Sequence, residues 1–273
     1  MIKVSVDDLE RIKPLICYNM IFDPDANFKT ILLRDLIYTP DNVEKILRVV
    51  KSCGGKLRLM PPSNPLGQMV DMAVIFECPN GVEEIIGRKI EELGVCREVQ
   101  IIKSLDRRVA INPFFPIICN GRRAVIMPEI LYGSLFEGMR TRFKPALTQI
   151  FLYQLGIRAG AELAQLLMGI LKDYKDDIVN ALRILFHFGR AFGYNILGKM
   201  KILDEREIIL EVIDGWEAKA LKKRYTSPQC HLTRGLIEGF LSKVIGGEWN
   251  VEEMECAAMG FERCKFIIRR KAE

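Results

Sequence analysis

Four side chains near the carboxyl end of this 273-residue chain have a spacing that restricts how the segment can fold. They are Cys230, Glu253, Cys256 and Cys264, at relative offsets of 0, 23, 26 and 34 residues. Three thiols and a carboxylate are a donor set suited to tetrahedral zinc, and four protein donors leave no open coordination position. The spacing therefore predicts a structural zinc site. The alternative is that these are buried cysteines and a surface glutamate without a metal.

The surrounding sequence has a regular arrangement of helix, strand and glycine turn. Cys230 follows Ser227 and Pro228 and opens a predicted helix, whose positive end favours a thiolate and so favours metal binding. This arrangement consists of Cys230, two glycines in the predicted helix (Gly235 and Gly239), the E-x-x-C segment 253–256, Gly260 at the turn and Cys264. This pattern resembles the V4R domain, also called the 4-vinyl reductase domain, and in particular the hydrocarbon-binding sensory domains of bacterial activators. The resemblance implies that the four donors are zinc ligands, and His231 is the substitute if Glu253 points away.

The V4R resemblance covers residues 123–273 and implies a mixed α/β domain with helices and an antiparallel sheet. RAVIMPEILYGSLFEGM, from Arg123, is similar to the opening strand and helix of the family. Apolar residues at spacings of three and four predict a long helix over 144–172 and another over 176–193, followed by strands over 195–203 and 207–213. Glycines at Gly156, Gly160 and Gly169 would let another backbone approach the long helix closely.

The first half of the chain has a different pattern. Residues 28–104 alternate strand and helix in the order βαββαβ, with helices expected from Asp41 and after Gly81. This ferredoxin-like order resembles the ACT regulatory domain, so the fold class is α+β, with an ACT-like domain preceding the V4R domain. Residues 1–27 are then an amino-terminal segment and 105–122 a linker. The resemblance implies either a small ligand, often an amino acid, at the turn 38–42 or a purely dimerising role.

A homodimer is expected, because an isolated sheet of this kind leaves a helix-free face and edge strands that pairing would cover. A ligand pocket is expected in the V4R half, because that family encloses aromatic hydrocarbons or, in related folds, lipid chains. The predicted ligand-binding residues are His187, Phe188, Phe192, Tyr194, Trp216 and Phe240. The alternative is that aromatic residues at helical spacing are simply core. Val212 stands where phenol-type sensors have a ligand-facing tryptophan, so phenol itself is not the expected ligand.

Composition restricts the remaining functions. A net charge of +5, spread among mixed charges, gives no reason to expect nucleic acid, and no long apolar run or signal sequence is present, so a cytoplasmic protein without membrane contact is expected. Its other cysteines would be reduced apolar fillers, at Cys17, Cys53, Cys78, Cys96 and Cys119. With two histidines and no P-loop, G-x-S-x-G or dinucleotide motif, an enzyme is the less favoured interpretation.

The sequence thus predicts a small-molecule sensor or carrier that signals through a dimer to an unknown downstream protein. The alternative is an accessory protein or enzyme of tetrapyrrole metabolism, as the vinyl-reductase name of the family implies.

Overall fold

The computed structural model describes residues 19–104, 106–119, 121–175, 177–203, 207–221 and 225–271. These residues form two compact units, and the division between them falls at Ala124 and Val125. Cys17 lies outside the described residues. Within them, no helix is long and apolar enough to span a lipid bilayer.

The first unit is built on a four-stranded antiparallel sheet covered by two helices. Its elements are β1 (Met20–Phe22), β2 (Phe28–Ile37), α1 (Pro40–Ser52), β3 (Lys56–Leu59), β4 (Met69–Glu77), α2 (Val82–Glu92), β5 (Glu98–Ile102), β6 (Val109–Ile111), β7 (Ile117–Cys119) and β8 (Arg122–Ala124). The sheet order is β3-β4-β2-β5, with every neighbouring pair antiparallel. From β2 to β5 the element order is therefore the expected βαββαβ, while the likeness to an ACT domain stays a prediction.

Local chemistry explains where the helices of this unit begin. The Thr39 hydroxyl accepts a hydrogen bond from the Asn42 backbone N–H at 3.3 Å, and Pro40 occupies the first turn of α1. Gly81, with a φ of 87°, precedes α2 and allows the sharp turn out of β4. Ile46 on α1 and Ile86 on α2 are fully buried against one face of the sheet.

The opposite face of this sheet is covered within the chain. β1 pairs with β6 as a two-stranded ribbon, and Ala110 of β6 packs with Phe28 and Ile75 of the sheet. Thr30 and Ala73, which also point to the helix-free face, are 7% and 0% exposed. The segment 105–122, predicted as a linker, thus contributes β6 and the β7–β8 hairpin. The expected reason for dimerisation through this face was wrong, because the ribbon lay outside the βαββαβ pattern.

The second unit combines a bundle of helices with a second antiparallel sheet. Its elements are α3 (Glu129–Arg142), α4 (Pro145–Leu166), α5 (Met168–Leu171), a 3₁₀ turn (Lys172–Tyr174), α6 (Ile178–Ala191), β9 (Ile196–Ile202), β10 (Glu207–Ile213), α7 (Trp216–Lys219), α8 (His231–Val244), β11 (Trp249–Glu255), a 3₁₀ turn (Ala257–Met259) and β12 (Cys264–Arg270). The sheet order is β11-β12-β10-β9. Buried residues alternate with partly buried or exposed ones along β10, β11 and β12, so one face carries the core.

Helices α4 and α8 meet backbone to backbone through four glycines. A Cβ added to Gly156 or Gly160 would lie 2.2 and 2.1 Å from carbonyl oxygens of α8, and one added to Gly235 or Gly239 would lie 2.0 Å from carbonyl oxygens of α4. No side chain larger than hydrogen fits at these positions. We call this contact the glycine clasp. Gly169, predicted to have the same role, has no atom within 4 Å of its added Cβ, so that part of the prediction was wrong.

Candidate functional site

The four predicted metal donors come together in the second unit. Cys230 is the residue immediately before α8, Glu253 lies on β11, Cys256 follows β11, and Cys264 begins β12. A register shift between β11 and β12 after Glu253 bends the end of β11, and Gly260, with a φ of 105°, allows the turn that returns the chain to Cys264. A helix start, a strand and a tight turn thus place four donors at one point.

The distances among these donors suit one metal ion. All four donor atoms lie within 4.8 Å of one another, and all four residues are buried. Cys230 Sγ is 3.8 Å from Cys256 Sγ and 3.6 Å from Cys264 Sγ. Two sulfurs that each bind zinc at about 2.3 Å in a tetrahedron are about 3.8 Å apart. These thiols are also free rather than bridged, since a disulfide bond is about 2 Å long.

Glu253 gives independent support for a cation at this point. It occupies an inward position of β11, next to the buried Val251 in the alternation, where an apolar side chain would be expected. Its Oε2 accepts a hydrogen bond of 2.8 Å from the Cys230 backbone N–H, whereas its Oε1 is buried without a partner. Burial raises the pKa of Glu253 to about 8. A buried carboxylate with an unpaired oxygen is costly unless a positive charge compensates it, so the donor set fits a metal ion.

His231 is not needed as a donor, because Glu253 points into the cluster. It is the first residue of α8 and is 7% exposed, and burial lowers the pKa of His231 to about 4. Among the remaining described cysteines, Cys78 is buried in the first core, while Cys53, Cys96 and Cys119 are partly buried. All four are free thiols, as expected of fillers.

A buried carboxylate from α7 caps the helix that begins beside the metal donors. Glu217 is 0% exposed and accepts hydrogen bonds from the backbone N–H groups of Leu232 at 3.1 Å and Thr233 at 2.9 Å. These are amides of the first turn of α8, which a negative charge stabilises. Burial raises the pKa of Glu217, opposed by these hydrogen bonds and by Arg140.

Arg140 on α3 completes this arrangement. Its Nη2 lies 3.5 Å from Glu217 Oε1 and donates to the Gln229 carbonyl at 2.9 Å, one residue before Cys230. The side chains of Arg140 and Glu217 are 5% and 1% exposed, so solvent screens this pair little. Helix α3, α7 and the start of α8 are therefore held together by one buried polar network.

Four of the six predicted ligand-binding residues form a continuous row of rings. The centroids of Phe188 and Phe192 are 4.4 Å apart, those of Phe192 and Tyr194 6.2 Å, and those of Tyr194 and Trp216 5.2 Å. We call this the aromatic row. Phe192 and Tyr194 are each 39% exposed, so the row reaches the surface. At the inner end, Trp216 is only partly exposed.

The two other predicted ligand residues lie elsewhere in the same unit. Phe240 is fully buried on α8, where it belongs to the core rather than to the row. His187 is partly buried on α6, one residue before Phe188. Val212 is 2% exposed and also belongs to the core.

Sequence reasoning missed the contribution of α3 to this site. Tyr132 and Phe136 pack on Trp216, with centroid distances of 5.1 and 5.3 Å. With Arg140 they form the inner face of α3 at spacings of four residues, which is the signal that could have found them.

Residues 213–270 match the family model described as V4R domain, and this segment contains all four metal donors, Trp216 and Glu217. The V4R resemblance is thus confirmed over this segment. No curated protein matches the chain.

Three solved structures are distantly similar. The phenol-responsive sensory domain of the transcription activator PoxR, with phenol, has a TM-score of 0.48 at 16% identity, covering 55% of this chain and 78% of that one. A trafficking protein particle complex subunit 3 from Naegleria fowleri, covalently bound to palmitic acid, has a TM-score of 0.41 at 18% identity, covering 53% and 93%. A vinyl-4-reductase family protein from Methanocaldococcus jannaschii has a TM-score of 0.38 at 14% identity, covering 55% and 85%.

Proposed function

We propose that this chain is a cytoplasmic ligand-sensing or carrier protein, whose second unit binds a small apolar or aromatic molecule at the aromatic row. The observation that carries the proposal is the adjacency of Trp216 and Glu217. Trp216 is the inner end of the row, and Glu217 caps α8 next to the first metal donor. A molecule that displaces the Trp216 ring therefore moves the carboxylate that fixes the start of α8.

Zinc at Cys230, Glu253, Cys256 and Cys264 would have a structural role in this proposal. It would supply the positive charge that the buried carboxylate and thiolates need, and it would hold the start of α8 against the β11–β12 turn. With four protein donors there is no open position, so the metal would not act on the ligand. Because zinc would hold the start of α8 in place, a displacement of α7 would change the hydrogen bonds between Glu217 and α8.

The ligand would enter where the row is exposed. Phe192 and Tyr194 present apolar ring surface to solvent, and Phe188 and Trp216 continue that surface inward. A flat apolar molecule could replace the ring-to-ring contacts there at small cost, since offset stacking of rings contributes about 0.5–1.5 kcal/mol per pair. Because the row offers mainly apolar ring surface, naphthalene is a better expected probe than phenol.

The first unit would serve regulation or dimerisation in a homodimer, and the signal would pass to a downstream protein. Tyr38 and Asn42 flank the start of α1, the position at which an ACT-like domain would take a small ligand. The Asn42 side chain donates to the Ile37 carbonyl at 2.9 Å, which closes this turn on itself. That contact counts against an amino-acid site at this turn.

The test is to identify what the native protein carries and then to titrate a defined probe. Native mass spectrometry of freshly purified protein should show an added small molecule, and naphthalene should change the fluorescence of Trp216 in a Trp249→Phe background. Phe192→Ala should weaken naphthalene binding at least about fivefold, the loss of about one ring contact. Phe261→Ala, with a similar exposure of 43% in the same unit, is the matched control.

Two outcomes would contradict the proposal. One is that neither a co-purified molecule nor naphthalene binding is found. The other is a visible chromophore bound to the native protein, which would favour a role in tetrapyrrole metabolism.

A further inference from the structure

Helices α3 and α4 carry apolar side chains that the described chain leaves uncovered. Six of these side chains have exposed fractions between 49% and 76%: Ile130, Leu131, Leu135, Leu147, Ile150 and Phe151. On each helix they follow helical spacing, so each helix has an apolar stripe facing away from the core. We call these the outer stripes.

Together with the preceding segment 125–127, the outer stripes expose more apolar area than a monomer normally does. Six such side chains, each about half exposed, present roughly 600 Å² of apolar surface, and the preceding segment 125–127 adds roughly 300 Å². A standard stable interface buries about 800 Å² on each partner, whereas the largest apolar patch on a typical monomer is about 300–600 Å². The stripes and segment 125–127 together are therefore large enough for one side of a stable dimer.

The charges beside the stripes favour a protein over a membrane surface. On α4 the apolar stripe gives way to an exposed ion pair between Arg158 and Glu162, at 2.8 Å. On α3 the flanking charges include Glu129 and Glu137 as well as Arg142. Helices that lie on anionic lipid have a polar face rich in lysine and arginine. Mixed signs of charge suit a self-complementary protein interface instead.

Small residues near the outer stripe of α3 would allow a partner helix to pack closely. Ser134 lies between the apolar residues of its stripe and Gly138 lies one turn after Leu135, and Gly138 has no atom within 4 Å of an added Cβ. The Ser134 hydroxyl is satisfied by the Ile130 carbonyl at 2.6 Å, so burying this stripe would leave no unpaired group there. A partner helix could therefore approach α3 closely.

We propose that a second copy of this chain covers the outer stripes, and that α3 links this interface to the ligand site. The inner face of α3 holds Tyr132 and Phe136 against Trp216 and places Arg140 on Glu217. The same helix thus contacts the aromatic row on one side and the second copy on the other. Ligand binding and dimerisation then change each other's affinity. This coupling rests on the proposed function, whereas the interface does not.

Sedimentation of the full chain at micromolar concentration tests the interface. We expect the wild type at twice the chain mass of 31.2 kDa, and Leu135→Glu and Ile150→Glu at the mass of one chain. Ile170→Glu is the matched control, because Ile170 also lies on a helix of this unit and is 55% exposed against 60% for Ile150. It should remain dimeric, with all variants keeping wild-type circular dichroism and metal content.

Naphthalene tests the coupling. Saturating probe should change the dimer dissociation constant at least about fivefold. Because coupling is reciprocal and each dimer holds two sites, Ile150→Glu should change the naphthalene affinity of each site by the square root of that factor, about twofold or more. A monomeric wild type, a dimeric Ile150→Glu, or binding of the wild type to vesicles of phosphatidylcholine and phosphatidylserine would overturn the interface. A dimer that dissociates as expected while no ligand binds would instead retain the interface and reject the proposed function.

Discussion

At the scale of single residues, two carboxylates occupy buried positions where an apolar side chain would cost less free energy. Glu253 occupies an inward strand position and Glu217 is fully buried, yet each is tied to the start of α8 by backbone hydrogen bonds. Burying a carboxylate without compensation costs several kcal/mol, so both positions need a positive partner. Glu217 has Arg140. For Glu253 the partner that fits the donor set is a metal ion.

The first prediction concerns that metal. Elemental analysis of freshly reduced protein should give one zinc per chain, and Cys256→Ser or chelation should lower Tm by about 10 °C, because metal binding free energy is folding free energy in such sites. Cys96→Ser is the control, since Cys96 is a partly buried thiol packed on the core of the other unit; it should leave the zinc content unchanged and lower Tm much less. Protein free of any metal, or a Cys256→Ser variant with full stability, would contradict the prediction.

At the scale of helices and strands, the glycine clasp fixes how α4 and α8 pack. The four glycines interlock reciprocally, each against the backbone of the other helix. Tyr153 of α4 also hydrogen-bonds Glu238 of α8, and Arg234 stacks on the Tyr153 ring at 5.0 Å, beside the clasp. Backbone contact, rather than interdigitated side chains, therefore sets the position of α8, whose first residue adjoins Cys230.

The second prediction follows from the clasp. Gly156→Ala or Gly239→Ala should lower the free energy of unfolding by more than about 3 kcal/mol, because the new methyl meets a carbonyl oxygen that cannot rotate away, and this outweighs the gain of about 1 kcal/mol in helix propensity. Gly169→Ala, on the short helix α5 with open space around it, should be neutral or stabilising by up to about 1 kcal/mol. Urea midpoints at constant slope measure both, and equal midpoints for the two classes would refute the clasp.

The extent to which the sequence predicts this site depends on how local each signal is. The metal donors are recognisable because three of them lie within twelve residues and their chemistry is specific, and the βαββαβ order is carried by periodicity along the chain. The contact of Arg140 with Glu217 joins positions 77 residues apart and leaves no local pattern. The glycines are visible individually, but which helix each would meet is set by tertiary packing. β6, with only three residues, is too short to predict.

At the scale of the whole molecule, the two large hydrophobic cores of the described residues belong to different units, and a smaller cluster lies under the β1–β6 ribbon. One is formed by β2, β4, α1 and α2, with Ile31, Phe76 and Ile86 among its members, and the other by α6, α8 and the second sheet, with Phe240 and Phe266. The metal donors belong to the second. Loss of the metal should therefore lower the stability of the second unit more than that of the first.

The third prediction tests this inequality by hydrogen exchange of the full chain. Chelation should accelerate exchange of amides in β11, β12 and the first turn of α8, while amides of β2 and β4 keep their protection, because local stability follows local contacts. Equal acceleration in both sheets would mean that the chain unfolds as a single cooperative body.

The glycine clasp also has a consequence for the order of folding. Each glycine weakens its own isolated helix by about 1 kcal/mol. Because Gly156 and Gly235 are about 80 residues apart, neither α4 nor α8 is stabilised by the clasp until most of the intervening chain has folded. We expect the clasp to close after the rate-limiting step. Gly239→Ala should then speed unfolding far more than it slows folding, which is the signature of a contact formed late.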